Sequence, residues 1–268
     1  MSVDISRFFN IDRTTYAKKG IVVYEFKDEL IDEFVTEYVL SFRRAYISDE
    51  ELDEGVANEV WKNWNEGTAM FIPTLPNLKS GEFTEILLFY LSHCMRCKDA
   101  NIAPMKWRWK EHKDMACHLT DIVMAKCEDE NNPKEDDYLY FLESKAGATP
   151  IGDRSKRSVM NDGIEDAVKD CVSRAGKTVS YLVTKYAKEK EYDKARKMKR
   201  FDDSVEVAYK RYSNAAIVVE KDSLSYHIAN ITDENLKKAR DHNISLFAVP
   251  VENMKTVYER MYNEVVNM

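Results

Sequence analysis

Asp121, Glu143 and Lys145 are the residues of this chain whose types and spacing could do chemistry together. Glu143 and Lys145 lie two positions apart in the run YLYFLESKAG. Side chains alternate along a strand, so the acid and the ammonium project from one face while Ser144 points the other way. Next to the apolar residues Leu139 to Leu142, such a pair is costly to bury unless it is ion-paired, metal-bound or working. Asp121 sits in the preceding run HLTDIVMAKC, and Glu82 and Glu85 in the helical stretch GEFTEILLFYL before that. The chemistry these groups suit is phosphodiester hydrolysis. Carboxylate oxygens are hard ligands for Mg²⁺, with Mn²⁺ able to substitute, and leave positions for water and a substrate phosphate. The metal acidifies a bound water and polarises a phosphoryl oxygen; a lysine beside it orients that water and offsets charge developing at phosphorus. Asp121 and Glu143 are therefore the expected principal metal ligands, Lys145 the charge-stabilising group, and Glu85 or Glu82 the carboxylate that completes or orients the site.

Positioning these residues requires a hairpin. The two apolar runs are joined by the polar, turn-rich EDENNPKEDD, which predicts antiparallel strands carrying Asp121 on one and Glu143 and Lys145 on the next. Ser80 is the expected N-cap of the preceding helix, whose Ile86, Leu87, Phe89, Tyr90 and Leu91 make it largely buried. Between helix and hairpin, MKWRWK alternates and predicts a short strand with Trp107 and Trp109 on one face. Downstream, residues 156 to 192 are helical in pattern with a break expected near Gly176, and Asn214 to Glu220 and ISLFAVPV read as buried strands. A short helix beginning at Thr232 separates those strands, and a terminal helix follows from Glu252. Upstream, GIVVYEF predicts a strand and Asp28 to Phe42 a helix. A second helix is expected from Asp49 to Trp64, capped by Ser48 with Glu51 at the reciprocal position, and with Trp61 and Trp64 as core residues. The order is that of an α/β protein with a mixed sheet. Residues 1–79 carry no catalytic signal and are expected to form an N-terminal α+β extension with a partner-binding surface; residues 80–268 form the core.

Composition narrows the function classes. The chain has 268 residues, 44% of them hydrophobic, with only 6 Pro and 8 Gly, which suits a globular fold with a sizeable core. No run approaches the length of a membrane span, and five cysteines, an odd number, suit a reducing compartment, so the expected location is the cytoplasm. Cys94 and Cys97 beside His93, with Cys117 and His118 further on, raise a zinc site, but the pair lies in an apolar helical run and buried thiols are the favoured reading. No HxH, HExxH or phosphate-loop glycine pattern is present, so neither a zinc hydrolase nor a small-molecule cofactor is expected. The net charge of −7 is unevenly spread. Residues 1–60 carry 7 basic and 14 acidic side chains, whereas residues 154–211 carry 16 basic and 10 acidic ones. Arg154, Lys156, Arg157, Lys197 and Arg200 in that basic region are the candidate contacts to nucleic-acid phosphates.

A Glu-x-Lys triplet alone is common in charged chains; its context here is more specific. An Asp on one strand, a hairpin tip, Glu-x-Lys on the next, a glutamate-bearing helix before and a helix after resemble the PD-(D/E)xK nuclease superfamily, with Thr120 where the motif's proline stands. That resemblance implies a restriction-endonuclease-like mixed β-sheet flanked by helices. The whole chain, through the GEFTEILLFYL, HLTDIVMA and YLYFLESKAG segments, further resembles the HamA family, nuclease subunits of Hachiman antiphage systems. Glu85, directly before ILLFYL, best matches that family's helix glutamate, with Glu82 as the alternative. The resemblance implies a Mg²⁺-dependent deoxyribonuclease that attacks DNA together with a HamB-like superfamily 2 helicase. The competing reading is a catalytically silent subunit that uses the nuclease fold to hold a helicase or nucleic acid; the motif also leaves RNA open as substrate.

Overall fold

The computed structural model describes residues 4–117, 120–148, 157–202 and 207–268. After a 3-10 turn, Ile5–Phe8, the chain forms β1 (Phe9–Asp12) and β2 (Ile21–Phe26), then α1 (Ile31–Arg44), α2 (Asp49–Ala57), α3 (Trp64–Ala69) and α4 (Pro76–Met95). The hairpin is β3 (Ile122–Lys126) and β4 (Tyr138–Gly147). Next come α5 (Val159–Lys169), a π-helical turn (Asp170–Arg174), α6 (Ala175–Lys188) and α7 (Tyr192–Lys199). The chain ends with β5 (Lys210–Glu220), α8 (Leu224–Ala229), α9 (Asp233–Asp241), β6 (Ile244–Val251) and α10 (Met254–Val266). The six strands form one mixed sheet in the order β1-β2-β6-β5-β4-β3, antiparallel at its two edges and parallel across β2, β6, β5 and β4. No helix among the described residues is long and apolar enough to cross a membrane.

Strands covered on both faces need continuous apolar runs, and β5 and β6 have them in NAAIVV and LFAVPV. Alternation then divides the core. Tyr138, Tyr140 and Leu142 of β4 join Ala216, Val218, Phe247 and Val249 against α1, α4 and α10. Leu139 and Phe141 face the other way, with Val179, Leu182 and Tyr186 of α6. Glu143 and Lys145 share the parity of Leu139 and Phe141, so they project toward the helices that follow the hairpin, away from α4. β1 and β2 belong to the same sheet through the β2–β6 pairing, and the 79/80 boundary expected from the sequence falls in the first turn of α4.

Several local expectations change. The α4 helix starts at Pro76, with Leu75 in the cap position and Pro at the first turn, where its missing N–H costs nothing, rather than at Ser80. MKWRWK is not a strand: Lys106–Trp109 is a 3-10 turn, which drives Trp107 into the core against Phe89 and leaves Trp109 beside Tyr186. The helix expected from Asp49 to Trp64 does begin with the Ser48–Glu51 capping box, but it ends at Ala57. Glu59 adopts a left-handed φ of 59°, and Asn63 caps a separate α3. Trp61 can then lie over Gly55 and Gly67, where an added Cβ would meet its ring. Gly176 does not break the downstream helix; the irregularity precedes it, at the π turn.

Candidate active site

The β3–β4 register pairs Ile122 with Leu142, and continuing it by one residue sets Asp121 opposite Glu143. Asp121 is fixed by the neighbouring strand: its Oδ2 accepts from the Ser144 backbone N–H (2.8 Å) and the Ser144 hydroxyl (3.1 Å). Glu143 is 3% exposed. Lys145 Nζ lies 3.9 Å from Glu143 Oε2 and 2.7 Å from Asp166 Oδ2 on α5. The α5 helix is held in place by buried Asn161, whose Nδ2 donates to the Asn230 carbonyl and whose Oδ1 accepts from Thr232 and Asn235. The π turn then brings a fourth acid, Asp170, next to Glu143, together with Arg174, whose Nη2 is 3.7 Å from Glu143 Oε1 and whose Nε is 3.0 Å from Asp170 Oδ1. π turns recur at functional sites because the extra residue shifts the helix phase and re-aims side chains.

Glu85 reaches this cluster indirectly. Its Oε2 accepts from Trp107 Nε1 (3.0 Å) and lies 3.2 Å from Lys106 Nζ, which in turn is 3.6 Å from Asp121 Oδ1. Lys106 is therefore a buried cation bridging Glu85 and Asp121. Glu82 is engaged elsewhere, with Lys110 (2.5 Å), so Glu85 is the helix acid connected to Asp121. Asp166, Asp170, Lys106 and Arg174 were not singled out in the sequence. Asp166, Asp170 and Arg174 sit in a charged helical stretch that reads as a solvated face, and Lys106 sits in a segment that alternates like a strand.

Charge crowding marks the site. Burial first, then the Asp121 and Asp170 carboxyls, push Glu143 far above the usual carboxylate range. Burial likewise raises Asp170, against the pull of Arg174. Glu85 is pushed up to about 7 by burial, partly opposed by Lys106 and reinforced by Asp121. For Lys106 and Lys145 burial works against the charged form, but the surrounding carboxylates outweigh it and both are raised, so each remains an ammonium at neutral pH. Glu143 Oε1 and both Asp170 oxygens are buried with no hydrogen-bond donor aligned on them; the Arg174 contacts are close but poorly directed.

Those orphaned carboxylate oxygens are the test of whether the residues suit a divalent metal, and they fit. Mg²⁺ takes hard oxygen donors and characteristically only one or two carboxylates from the protein, keeping water and phosphate as its other ligands. Among the described residues no three His, Cys, Asp or Glu side chains form a preassembled cage. The acids are instead spread among Lys106, Lys145 and Arg174. Cys94 and Cys97 are buried thiols, each raised by burial.

Glu143 gives a stability prediction. A carboxyl whose folded pKa is raised binds its proton in the native state at pH values where the unfolded chain has lost it, so stability falls as pH rises from the ordinary carboxylate range toward the raised value. Glu143→Gln removes that loss. In EDTA at neutral pH the variant is expected to melt several degrees above the wild type, with the gap closing in acid; a lower melting temperature for the variant would contradict the burial and crowding described.

The sequence-derived phosphate contacts fare unevenly. Arg154 and Lys156 lie outside the described residues. Arg157 is paired with Asp162 (2.6 Å) and Glu165 (2.9 Å). Lys197 pairs with Asp193 (2.9 Å). Arg200 is 8% exposed, engaged with Asp137 (3.3 Å) and the Ala208 carbonyl (3.1 Å), so it braces the start of β4 and has no surface to offer a phosphate. Asp137 is six residues from Glu143, roughly 20 Å along an extended strand, which puts Arg200 at the far end of the hairpin from the acidic cluster.

A six-stranded mixed sheet flanked by helices, with an acid at one strand end set against an acid and a lysine on the next, defines an α/β protein of nuclease-like fold. The chain belongs to the HamA family: the family model, described as HamA, matches residues 6–265, nearly the whole chain. That membership carries a role in antiphage defence. No curated protein matches the chain.

Proposed function

We propose that the protein is a metal-dependent nuclease that hydrolyses DNA phosphodiester bonds, acting as the effector of an antiphage complex with a superfamily 2 helicase. The observation that carries this reading is the opposition of Asp121 and Glu143 across β3 and β4, with Lys145 on the face of Glu143 and buried carboxylate oxygens of Glu143 and Asp170 left without a hydrogen-bond donor. Asp121 and Glu143 would hold Mg²⁺, or Mn²⁺ in its place, with Asp170 beside them. Bound there, the metal would acidify a water and polarise a phosphoryl oxygen. Lys145, its charge secured by Asp166, positions the attacking water and offsets negative charge gathering at phosphorus. Lys106 holds Asp121 and Glu85 apart from outright repulsion, and Ser144 fixes which Asp121 oxygen stays available: Oδ2 is engaged twice, Oδ1 only by the longer contact to Lys106. No phosphate-binding glycine loop is present in the sequence, so strand opening would fall to the helicase. Matched DNA and RNA oligonucleotides incubated with the protein, alone and with the co-expressed helicase, test the substrate: DNA cleavage in Mg²⁺ with RNA intact is expected, and intact DNA in every arm would overturn the reading.

A further inference from the structure

A cleft of about 270 Å³ opens beside the acidic cluster, between α6 and the segment from Lys106 to Cys117. Its inner end is shared with the cavity at Asp121 and Thr120, because Lys106 and Tyr181 line both. We propose that this cleft grips an unpaired DNA strand and leads it to Asp121 and Glu143; the proposal rests on the DNA-cleaving reading above and names the form of DNA the site takes.

One face of α6 builds the track. Thr178, Tyr181, Lys185 and Lys188 follow at helical spacing, spanning roughly 15 Å at about 1.5 Å per residue. Thr178 lies at the site end, its hydroxyl 3.3 Å from that of Thr120. Tyr181 is half-buried; its ring stands edge-on to Trp109 with centroids 6.4 Å apart, and Lys185 Nζ lies 5.7 Å from its centre. Two aromatic rings with a cation next to them form the kind of platform on which bases stack while phosphates meet ammonium groups.

The charges divide in the same sense. The inner lysines are already matched, Lys106 by Glu85 and Asp121 and Lys110 by Glu82. Neither Lys185 nor Lys188 has an ion pair among the described residues, and Glu111 is the one acid lining the cleft. The surplus positive charge is thus at the outer end, where a backbone would enter. Unpaired bases can reach the Tyr181 and Trp109 rings, whereas bases stacked inside a duplex cannot, so the proposed occupant is a single strand.

Fluorescence anisotropy with a labelled single-stranded oligonucleotide, and with a blunt duplex of the same length, tests this in EDTA, where binding is read independently of cleavage. The double variant Lys185→Glu/Lys188→Glu changes one half-buried and one exposed lysine outside the core and is expected to weaken single-strand binding by about tenfold or more and to lower the salt dependence by roughly two counterions. Tyr181→Ala is expected to cost roughly tenfold, as for loss of one stacked base, with duplex affinity unchanged. A protein that binds in this pattern but never cuts upholds the cleft and removes the nuclease reading. One that cuts while both variants bind single strands like the wild type removes the cleft alone, as does a duplex that binds more tightly than the single strand.

Discussion

Replacing Lys145 with alanine is expected to slow DNA cleavage by about 10²- to 10³-fold, the usual consequence of removing one preorganised donor from a transition state that gathers charge. The expectation rests on where its ammonium is kept. Asp166 accepts from Nζ at 2.7 Å and Glu143 Oε2 lies 3.9 Å away, so the charge is held over the acidic pair instead of swinging into solvent. Although burial disfavours the charge, Asp121, Asp166 and Glu143 together raise its pKa, and the group stays protonated throughout the neutral range. The loss should appear in kcat with little change in KM, because the interaction strengthens as charge builds at phosphorus. Lys145→Arg keeps the charge but not the compact geometry, so it should recover only part of the rate. A fall in KM-linked binding with kcat intact would instead make Lys145 a phosphate anchor.

The second large effect concerns stability. Lys106→Met removes the buried cation between Glu85 and Asp121 and leaves the two acids without the charge that separates them. Breaking a buried ion pair from one side costs about 3–5 kcal/mol, and here one cation serves two partners. The cost depends on pH. Glu85 already titrates near neutrality because burial raises it, and without Lys106 it rises further, so in mild acid it takes up a proton and part of the repulsion disappears. Urea denaturation in EDTA should therefore show the largest loss above neutrality and a smaller one in mild acid. A loss that is the same at both ends would mean that packing of the lysine stem, not its charge, is what the substitution removes.

Much of this arrangement is written locally. YLYFLESKAG and ISLFAVPV form strands with those same bounds because both are apolar runs of strand length ended by turn residues, and the Ser48–Glu51 and Thr232 caps stand where short polar side chains precede helical spacing. Glu143 and Lys145 were legible for the same reason: a strand's period of two fixes which residues share a face. What escaped depends on distant partners. β2 pairs with β6 some 220 residues later, and nothing near Ile21 announces it. The KWRW segment alternates like a strand, yet among the described residues no strand pairs with it, and burying Trp107 favours a 3-10 turn that also turns Lys106 inward. Asp170 and Arg174 are set by a π turn, a one-residue change of phase that regular helical spacing hides. Arg200 looked like part of a basic surface because charge counts carry no burial; Asp137, to which it is tied, lies beyond the hairpin tip in sequence.

On the proposed function, Asp121, Glu143 and Lys145 form a metal-dependent hydrolytic centre. A time course of plasmid cleavage decides this, run in Mg²⁺ and in EDTA with wild type, Lys145→Ala and Glu143→Gln, each with the proposed helicase partner present. Cleavage by the wild type in Mg²⁺ only, with both variants reduced by at least about a hundredfold, is the predicted result. Equal cleavage by all three proteins, or undiminished cleavage in EDTA, would contradict it.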